Sequence, residues 1–86
     1  MAFHVYILRS RRNGRLYTGS TDNLERRVAE HNSGRSKATR FTGPFDLLHS
    51  ESFDSRSAAV ARERYLKTGL GRQEIIRLLD RQSTEF

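Results

Sequence analysis

Among the side chains of this 86-residue sequence that could move protons, bind oxyanions or hold a metal, five stand out by their spacing: Tyr6, Tyr17, Arg27, His31 and Glu63. Tyr6 and Tyr17 lie in two short strand-like runs, HVYIL and LYTGS. Arg27 and His31 are four residues apart in DNLERRVAEH, a spacing that puts them one turn apart on the same side of a helix. Glu63, in ARERYLK, shares a helical stripe with Ala59, Leu66 and the adjacent Val60. Two phenols, a guanidinium, an imidazole and a carboxylate together describe a small basic site with one metal ligand. Each also has a plain structural explanation when taken alone. Tyrosine is common in strands, a helix arginine is usually solvated, and a lone histidine is usually surface or satisfied core. Glu63 is the anomaly, because burying an unpaired carboxylate costs several kcal/mol. It must pair with a cation such as Arg27, bind a metal, or sit at the solvent edge of its stripe.

The elements that must position these groups are legible in outline. Residues 3–10 and 16–20 are expected to form two antiparallel strands separated by RRNG, which carries an Asn-Gly turn signal. A two-residue turn on Asn13 and Gly14 would set Tyr17 opposite Ser10. A four-residue loop, Arg11 to Gly14, sets Tyr6 opposite Gly19 and Tyr17 opposite Leu8, with both rings on one face as diagonal neighbours about 7 Å apart. In that register Gly19 leaves open space facing Tyr6. A helix follows, with Asp22 and Glu25 as a capping-box-like start and Gly34 as its stop; its inward stripe contains Leu24 and Val28 beside Arg27 and His31. RSKATRFTG reads as a basic loop, and Phe45 to Phe53 as a third strand with imperfect alternation. Ser55 caps a helix that stops at Gly69, and a short last helix runs through Glu74, Ile75, Ile76, Leu78 and Leu79. The expectation is an α+β domain spanning 1–86, a small three-stranded antiparallel sheet flanked by helices in the order β-β-α-β-α-α, with residues 82–86 a disordered tail.

Composition narrows the partner. With 35% hydrophobic residues in periodic clusters the chain is expected to fold, although 30% of it is charged. It has no cysteine, which excludes disulfides and thiolate metal sites and fits a reducing cytoplasm. No run approaches the roughly 20 apolar residues of a membrane span, and no leader pattern opens the chain, so neither insertion nor export is expected. The net charge is +6, and of the 16 basic residues only Lys37 and Lys67 are not arginine. Arginine offers a planar fork that matches phosphate oxygens, so nucleic acid is the leading ligand class. Arg9, Arg12, Arg15, Arg35, Lys37, Arg40 and Lys67 are the candidate phosphate contacts.

HVYIL and LYTGS, followed by DNLERRVAEH and ARERYLK, resemble the GIY-YIG nuclease superfamily, in particular its small stand-alone bacterial members, from about residue 4 to residue 79. The pattern is Tyr-x10-Tyr-x-Gly, then an arginine ten and a histidine fourteen residues after the second tyrosine. The resemblance assigns Tyr6 and Tyr17 to the motif tyrosines, Gly19 to the motif glycine, Arg27 to the helix arginine, His31 to a position often held by histidine or tyrosine, and Glu63 to the metal-binding glutamate. The first triplet reads His4-Val5-Tyr6 rather than Gly-Ile-Tyr, and the second Tyr17-Thr18-Gly19 rather than Tyr-Ile-Gly. The asparagine that several such nucleases carry beyond the glutamate has no counterpart, since the last asparagine is Asn32.

What the resemblance implies is phosphodiester hydrolysis with Mg2+ or Mn2+ on Glu63, on DNA in preference to RNA, in repair or processing of structured DNA, with a protein partner as a further source of specificity. Arg27 would neutralise charge on the phosphoryl oxygens, and Tyr6 and Tyr17 would jointly activate water and position phosphate. A free phenol titrates near 10, so His31, ordinarily near 6.5, is the alternative base. The missing asparagine, together with the little room for a separate DNA-binding region, supports a different function: a nucleic-acid-binding or adaptor module on the same fold.

Overall fold

The computed structural model describes residues 2–36, 39 and 41–83, the side chains of 81–83 excepted. Three strands, β1 (Phe3–Ser10), β2 (Leu16–Thr21) and β3 (Phe45–Phe53), and three helices, α1 (Leu24–Asn32), α2 (Arg56–Leu66) and α3 (Gly69–Ser83), follow one another in the expected order β-β-α-β-α-α. The sheet is antiparallel with strand order β2-β1-β3. As the central strand, β1 is covered on both faces, which is why HVYIL is apolar without alternation. Val5 and Ile7 pack with Ala59, Leu66 and Ile75 of α2 and α3. Tyr6 and Leu8 point the other way, to Phe45 and to Tyr17, Leu24 and Val28. The helices therefore sandwich the sheet, α1 on one side and α2 with α3 on the other.

The β1–β2 connection is the four-residue loop. Ser10 N donates to Arg15 O at 2.9 Å and Gly14 N to Ser10 O at 2.9 Å, while Gly14 takes a φ of +73°, a conformation open to glycine. Its register pairs Tyr6 with Gly19 and Leu8 with Tyr17. The uneven alternation of β3 has a local cause: consecutive β1 residues Ile7 and Leu8 pair with His49 and Leu47, so the strand carries a bulge there.

Three helix boundaries differ from expectation. Asn23, not Asp22, caps α1: its backbone is extended and its side chain accepts from Arg26 N at 3.1 Å. Asp22 instead pairs with Arg26 across 2.9 Å. Ser55 caps α2 as expected, but α2 ends at Leu66 and Gly69 opens α3 rather than closing α2. Thr68 Oγ1 accepts from Gly71 N at 3.1 Å and so serves the first turn of α3. The junction is tight enough that a Cβ on Gly71 would lie 1.9 Å from Tyr65 O. The last helix is also longer than expected, with 15 residues through Ser83. Residues 84–86 of the tail lie outside the described residues. Arg62 of α2 joins Glu51 of β3, with Nε to Oε1 at 2.8 Å, and Glu74 of α3, which ties both helices to the sheet.

Candidate active site

The site begins with β1. Tyr6 is 3% exposed, and its phenol lies directly over Gly19 of the neighbouring strand. A Cβ on Gly19 would fall 2.4 Å from Tyr6 Oη and 2.6 Å from Cζ, so only glycine leaves the phenol its seat. Gly19→Ala is expected to destabilise the fold by about 1–3 kcal/mol through overpacking. In urea unfolding its cost should be smaller when combined with Tyr6→Phe, which removes the nearer clashing atom, so the two changes will not add.

From α1, His31 meets the same phenol. It is 5% exposed, with Nε2 3.0 Å from Tyr6 Oη and Nδ1 2.6 Å from Thr39 Oγ1. One turn earlier, the charge of the Arg27 guanidinium acts on the Tyr6 phenol, and the guanidinium pairs with Glu30 at 3.3 Å. The Tyr6 and Thr39 hydroxyls can each donate or accept, so both nitrogens of the His31 ring are held whichever of them carries the proton. The ring edges close the arrangement: His31 and Phe45 centroids are 5.8 Å apart, and Tyr17 and Phe45 5.4 Å.

The two ring systems titrate differently from free ones. Burial first, and then the charge of Arg27, push His31 below its ordinary 6.5, with Glu30 opposing. His31 is therefore neutral at pH 7. Because the folded protein binds this proton less readily than the unfolded chain, the stabilising effect is complete above pH 6.5 and is lost as pH falls through the lower folded value. The carboxylates held low in the fold, Glu51 and Asp46, act only at more acid pH, below their ordinary 4.5 and 3.8. Thermal midpoints should consequently fall as pH drops below 6.5 in the native sequence, and His31→Gln should flatten that limb. Tyr17 is half-buried at the cleft's edge; Thr42, then Asn13, and the charge of Arg15 hold its phenol below the usual value.

Glu63 approaches from α2, on the opposite face of the sheet, around the free edge of β2. Ser20, whose side chain points away from the Gly19 face, donates to Glu63 Oε1 at 2.6 Å, and Lys67 Nζ reaches Oε2 at 2.7 Å. The carboxylate thus has a cationic partner, but it is Lys67, one turn along α2, rather than Arg27, which pairs with Glu30. Burial raises Glu63, yet the bonds from Lys67 and Ser20 and the charges of Lys67 and Arg64 bring it below the ordinary carboxylate value. It stays ionised at neutral pH.

Tyr6, Tyr17, Arg27, His31 and Glu63 all line one cleft of about 740 Å³, with Gly19 in its wall. Lys67, expected among the peripheral phosphate contacts, lies inside the cleft against Glu63. The other expected contacts lie elsewhere. Arg9, Arg12 and Arg15 are exposed around the β1–β2 loop, and Arg35 is exposed beyond α1. Lys37 and Arg40 lie outside the described residues. Sequence reading missed Ser20, Thr39 and Thr42 as partners of the site. Only the pairing of Glu63 with Lys67 had a signal, their four-residue helical spacing.

A single carboxylate fits a hard divalent ion that keeps most of its water shell and takes substrate phosphate as a further ligand. Glu63 is the only acidic side chain among the described residues of the cleft, and no group of three or more His, Cys, Asp or Glu suited to a metal exists among the described residues. The donor set is therefore suited to a substrate-completed Mg2+ or Mn2+ site and not to a closed structural one.

Residues 2–75 match the family model described as the GIY-YIG catalytic domain. The chain belongs to the GIY-YIG family. Relatives within it are named UPF0213 proteins. That of Natronomonas pharaonis is 52% identical over 66 residues, covering 76% of each chain. That of Staphylococcus haemolyticus is 42% identical over 82 residues, 93% of this chain and 98% of the relative. The solution NMR structure of a UPF0213 protein from Bacillus halodurans, 34% identical, superposes with a TM-score of 0.56 over 91% of this chain and 85% of that one. The GIY-YIG identity suggests nuclease activity, and with it nucleic-acid binding in general and the divalent metals that GIY-YIG nucleases generally use. The relatives' names specify no activity. Among the described residues no helix is long and apolar enough to cross a membrane.

Proposed function

We propose that this GIY-YIG protein is a divalent-metal-dependent endonuclease that hydrolyses phosphodiester bonds in DNA in preference to RNA, acting in the cytoplasm on structured DNA during repair or processing, with a protein partner contributing specificity. The observation that carries this reading is the convergence of Tyr6, Tyr17, Arg27, His31 and Glu63 from four separate elements on one cleft.

Glu63, oriented by Ser20, would hold Mg2+ or Mn2+, and Lys67 would give up its place on Oε2 to it. Bound there, the ion supplies Lewis-acid polarisation of the phosphate and stabilises the departing oxygen. Arg27 neutralises charge developing on the phosphoryl oxygens. Water attacks phosphorus as its proton passes to Tyr6 Oη, and the proton of Tyr6 moves to His31 Nε2, 3.0 Å away. The P–O bond to the leaving oxygen then breaks and that oxygen takes a proton from solvent, giving one phosphate-ended and one hydroxyl-ended strand. A neutral His31 is what this relay needs, and its depressed pKa supports that state at pH 7. Tyr17, with a phenol easier to ionise than usual, positions the phosphate from the other end of the aromatic cluster.

The experiment is a cleavage assay with Mg2+ or Mn2+ on labelled single-stranded, duplex, flapped and branched DNA and matching RNA, comparing wild type with Tyr6→Phe. A loss of about 100-fold or more in the variant is expected, the range for removal of a general acid or base. Unchanged cutting by Tyr6→Phe would remove the relay. A second reading has one observation in its favour, that no asparagine follows Asn32. Tight binding with no cutting of any substrate would establish the adaptor function instead.

A further inference from the structure

The cleft does not end at Glu63. It continues to the start of α3, where Arg72, Ile75 and Ile76 line it together with Lys67 at the end of α2. Arg72 is exposed, and its guanidinium has no hydrogen bond or ion pair among the described residues. The acids that could neutralise it are committed elsewhere. Glu74, two residues on, is bonded by Arg62, and Glu63 is held by Ser20 and Lys67. The residues three and four away from Arg72 are Thr68, Gly69, Ile75 and Ile76, none of them acidic. Arg72 also stands where a helix disfavours a cation. It closes the first turn of α3, which carries no acidic residue, so it faces the positive end of the helix dipole unopposed. The fold gains nothing from this charge. Its position is nevertheless fixed from behind: a Cβ on Gly71 would lie 1.9 Å from Tyr65 O, so the turn that carries Arg72 is pressed against the end of α2 that carries Lys67.

We propose that Arg72 binds the DNA phosphate next to the one at Glu63, so that the strand follows the cleft around the β2 edge from α1 to α3. The inference rests on the nuclease reading of the cleft and gives the strand a path through it. Charge favours this occupant. Among the described lining residues Arg27, Lys67 and Arg72 are cations and Glu63 is the single carboxylate, while His31 is neutral at pH 7. Such an excess of positive charge in a concave site suits a polyanion. Lys67, not Arg72, lies on the Glu63 carboxylate, which leaves the Arg72 fork for the neighbouring phosphate. Leu16 and Ile76, 38% and 58% exposed, line the cleft as well and offer apolar contact to a sugar or base, which a free phosphate ion would not use. Arg72 and Ile76 are one turn apart on α3, so charge and apolar surface lie side by side, as phosphate and sugar do in a nucleotide. A guanidinium on a phosphate carries no base information, so this contact supplies affinity and register without sequence preference.

The test is binding of a labelled DNA single strand of about a dozen nucleotides, in EDTA to block cutting, over a range of salt concentrations. Wild type is compared with Arg72→Gln, Arg72→Lys and Arg77→Gln; Arg77 is an exposed cation of the same helix that does not line the cleft. Loss of one phosphate contact on a single strand makes the log–log salt slope shallower by about 0.7, equivalent to about 5-fold weaker binding at about 0.1 M salt. Arg72→Gln is expected to show both, Arg72→Lys to keep the native slope because it keeps the charge, and Arg77→Gln to stay close to wild type. A native slope in Arg72→Gln, or an equal loss in Arg77→Gln, would overturn the contact while metal-dependent cleavage by wild type left the nuclease reading intact. Displacement of the strand by inorganic phosphate at matched ionic strength would overturn it too, by showing an ion site in place of a strand path. A wild-type protein that neither binds the strand nor cuts any substrate with metal present would instead sink the nucleic-acid reading itself. The unfolding midpoint of Arg72→Gln should equal or exceed that of wild type, because the cation opposes the helix dipole. A lower midpoint together with weaker binding would assign Arg72 to the fold and remove the proposal.

Discussion

Glu63→Ala is expected to reduce metal-dependent cleavage by on the order of 1,000-fold, because it removes the only described carboxylate of the cleft and with it a Lewis acid worth several kcal/mol. The measurement is single-turnover cleavage across a Mn2+ titration, paired with Mn2+ binding followed by electron paramagnetic resonance in the absence of nucleic acid. Glu63→Gln should behave like Glu63→Ala in both, although its amide can still accept from Ser20. Lys67→Ala should move metal binding the other way. Its ammonium sits 2.7 Å from Oε2, so removing it takes away a competing charge, and Mn2+ affinity should rise on the order of tenfold after allowance for the solvent that screens this half-exposed pair. A Glu63→Ala protein that still cleaves at the native rate would show that this carboxylate serves the fold alone.

Arg27→Ala should lower the rate by about 100- to 1,000-fold, the usual result of deleting one preorganised donor at a developing oxyanion. Two losses combine, since Arg27 lines the cleft and its charge also acts on both Tyr6 and His31. Arg27→Lys should recover only part of the rate, because an ammonium lacks the planar fork that matches phosphate oxygens. Single-turnover rates and substrate affinity measured together test this: the rate should fall much more than the affinity. A purely electrostatic surface role would show the opposite, weaker binding with an unaltered rate at saturation.

Tyr6 and His31 illustrate how unevenly the site was legible. Their spacings, ten residues between the tyrosines and a step of four from Arg27 to His31, are local patterns, and strand alternation and the helical turn convert them directly into shared faces. The choice between a two-residue and a four-residue hairpin loop could be stated from RRNG, and the four-residue register is the one the fold adopts. Glu63 was visible as a charge on an apolar stripe, but its company was not. Ser20 is 43 residues away in sequence and meets Glu63 only because α2 packs beside the β2 edge. The helix ends were misjudged where competing side chains stood side by side. Asn23 and Asp22 are both good caps, and the backbone turn at Thr21 chose between them by bonding Asn23 N to Thr21 Oγ1 at 3.1 Å.

By itself the sequence determined the strands, the order of the elements, the shared face of Tyr6 and Tyr17, and the turn-spaced pair on α1, because these follow from periods of two and 3.6 residues and from turn chemistry. Only the tertiary structure decided that Lys67 rather than Arg27 neutralises Glu63, that His31 meets the Tyr6 phenol, and that Thr39 holds the other nitrogen of the His31 ring. Those pairings join side chains from elements distant in sequence, and their partners are settled by how the helices pack across the sheet and around its open edge, a property no local pattern carries.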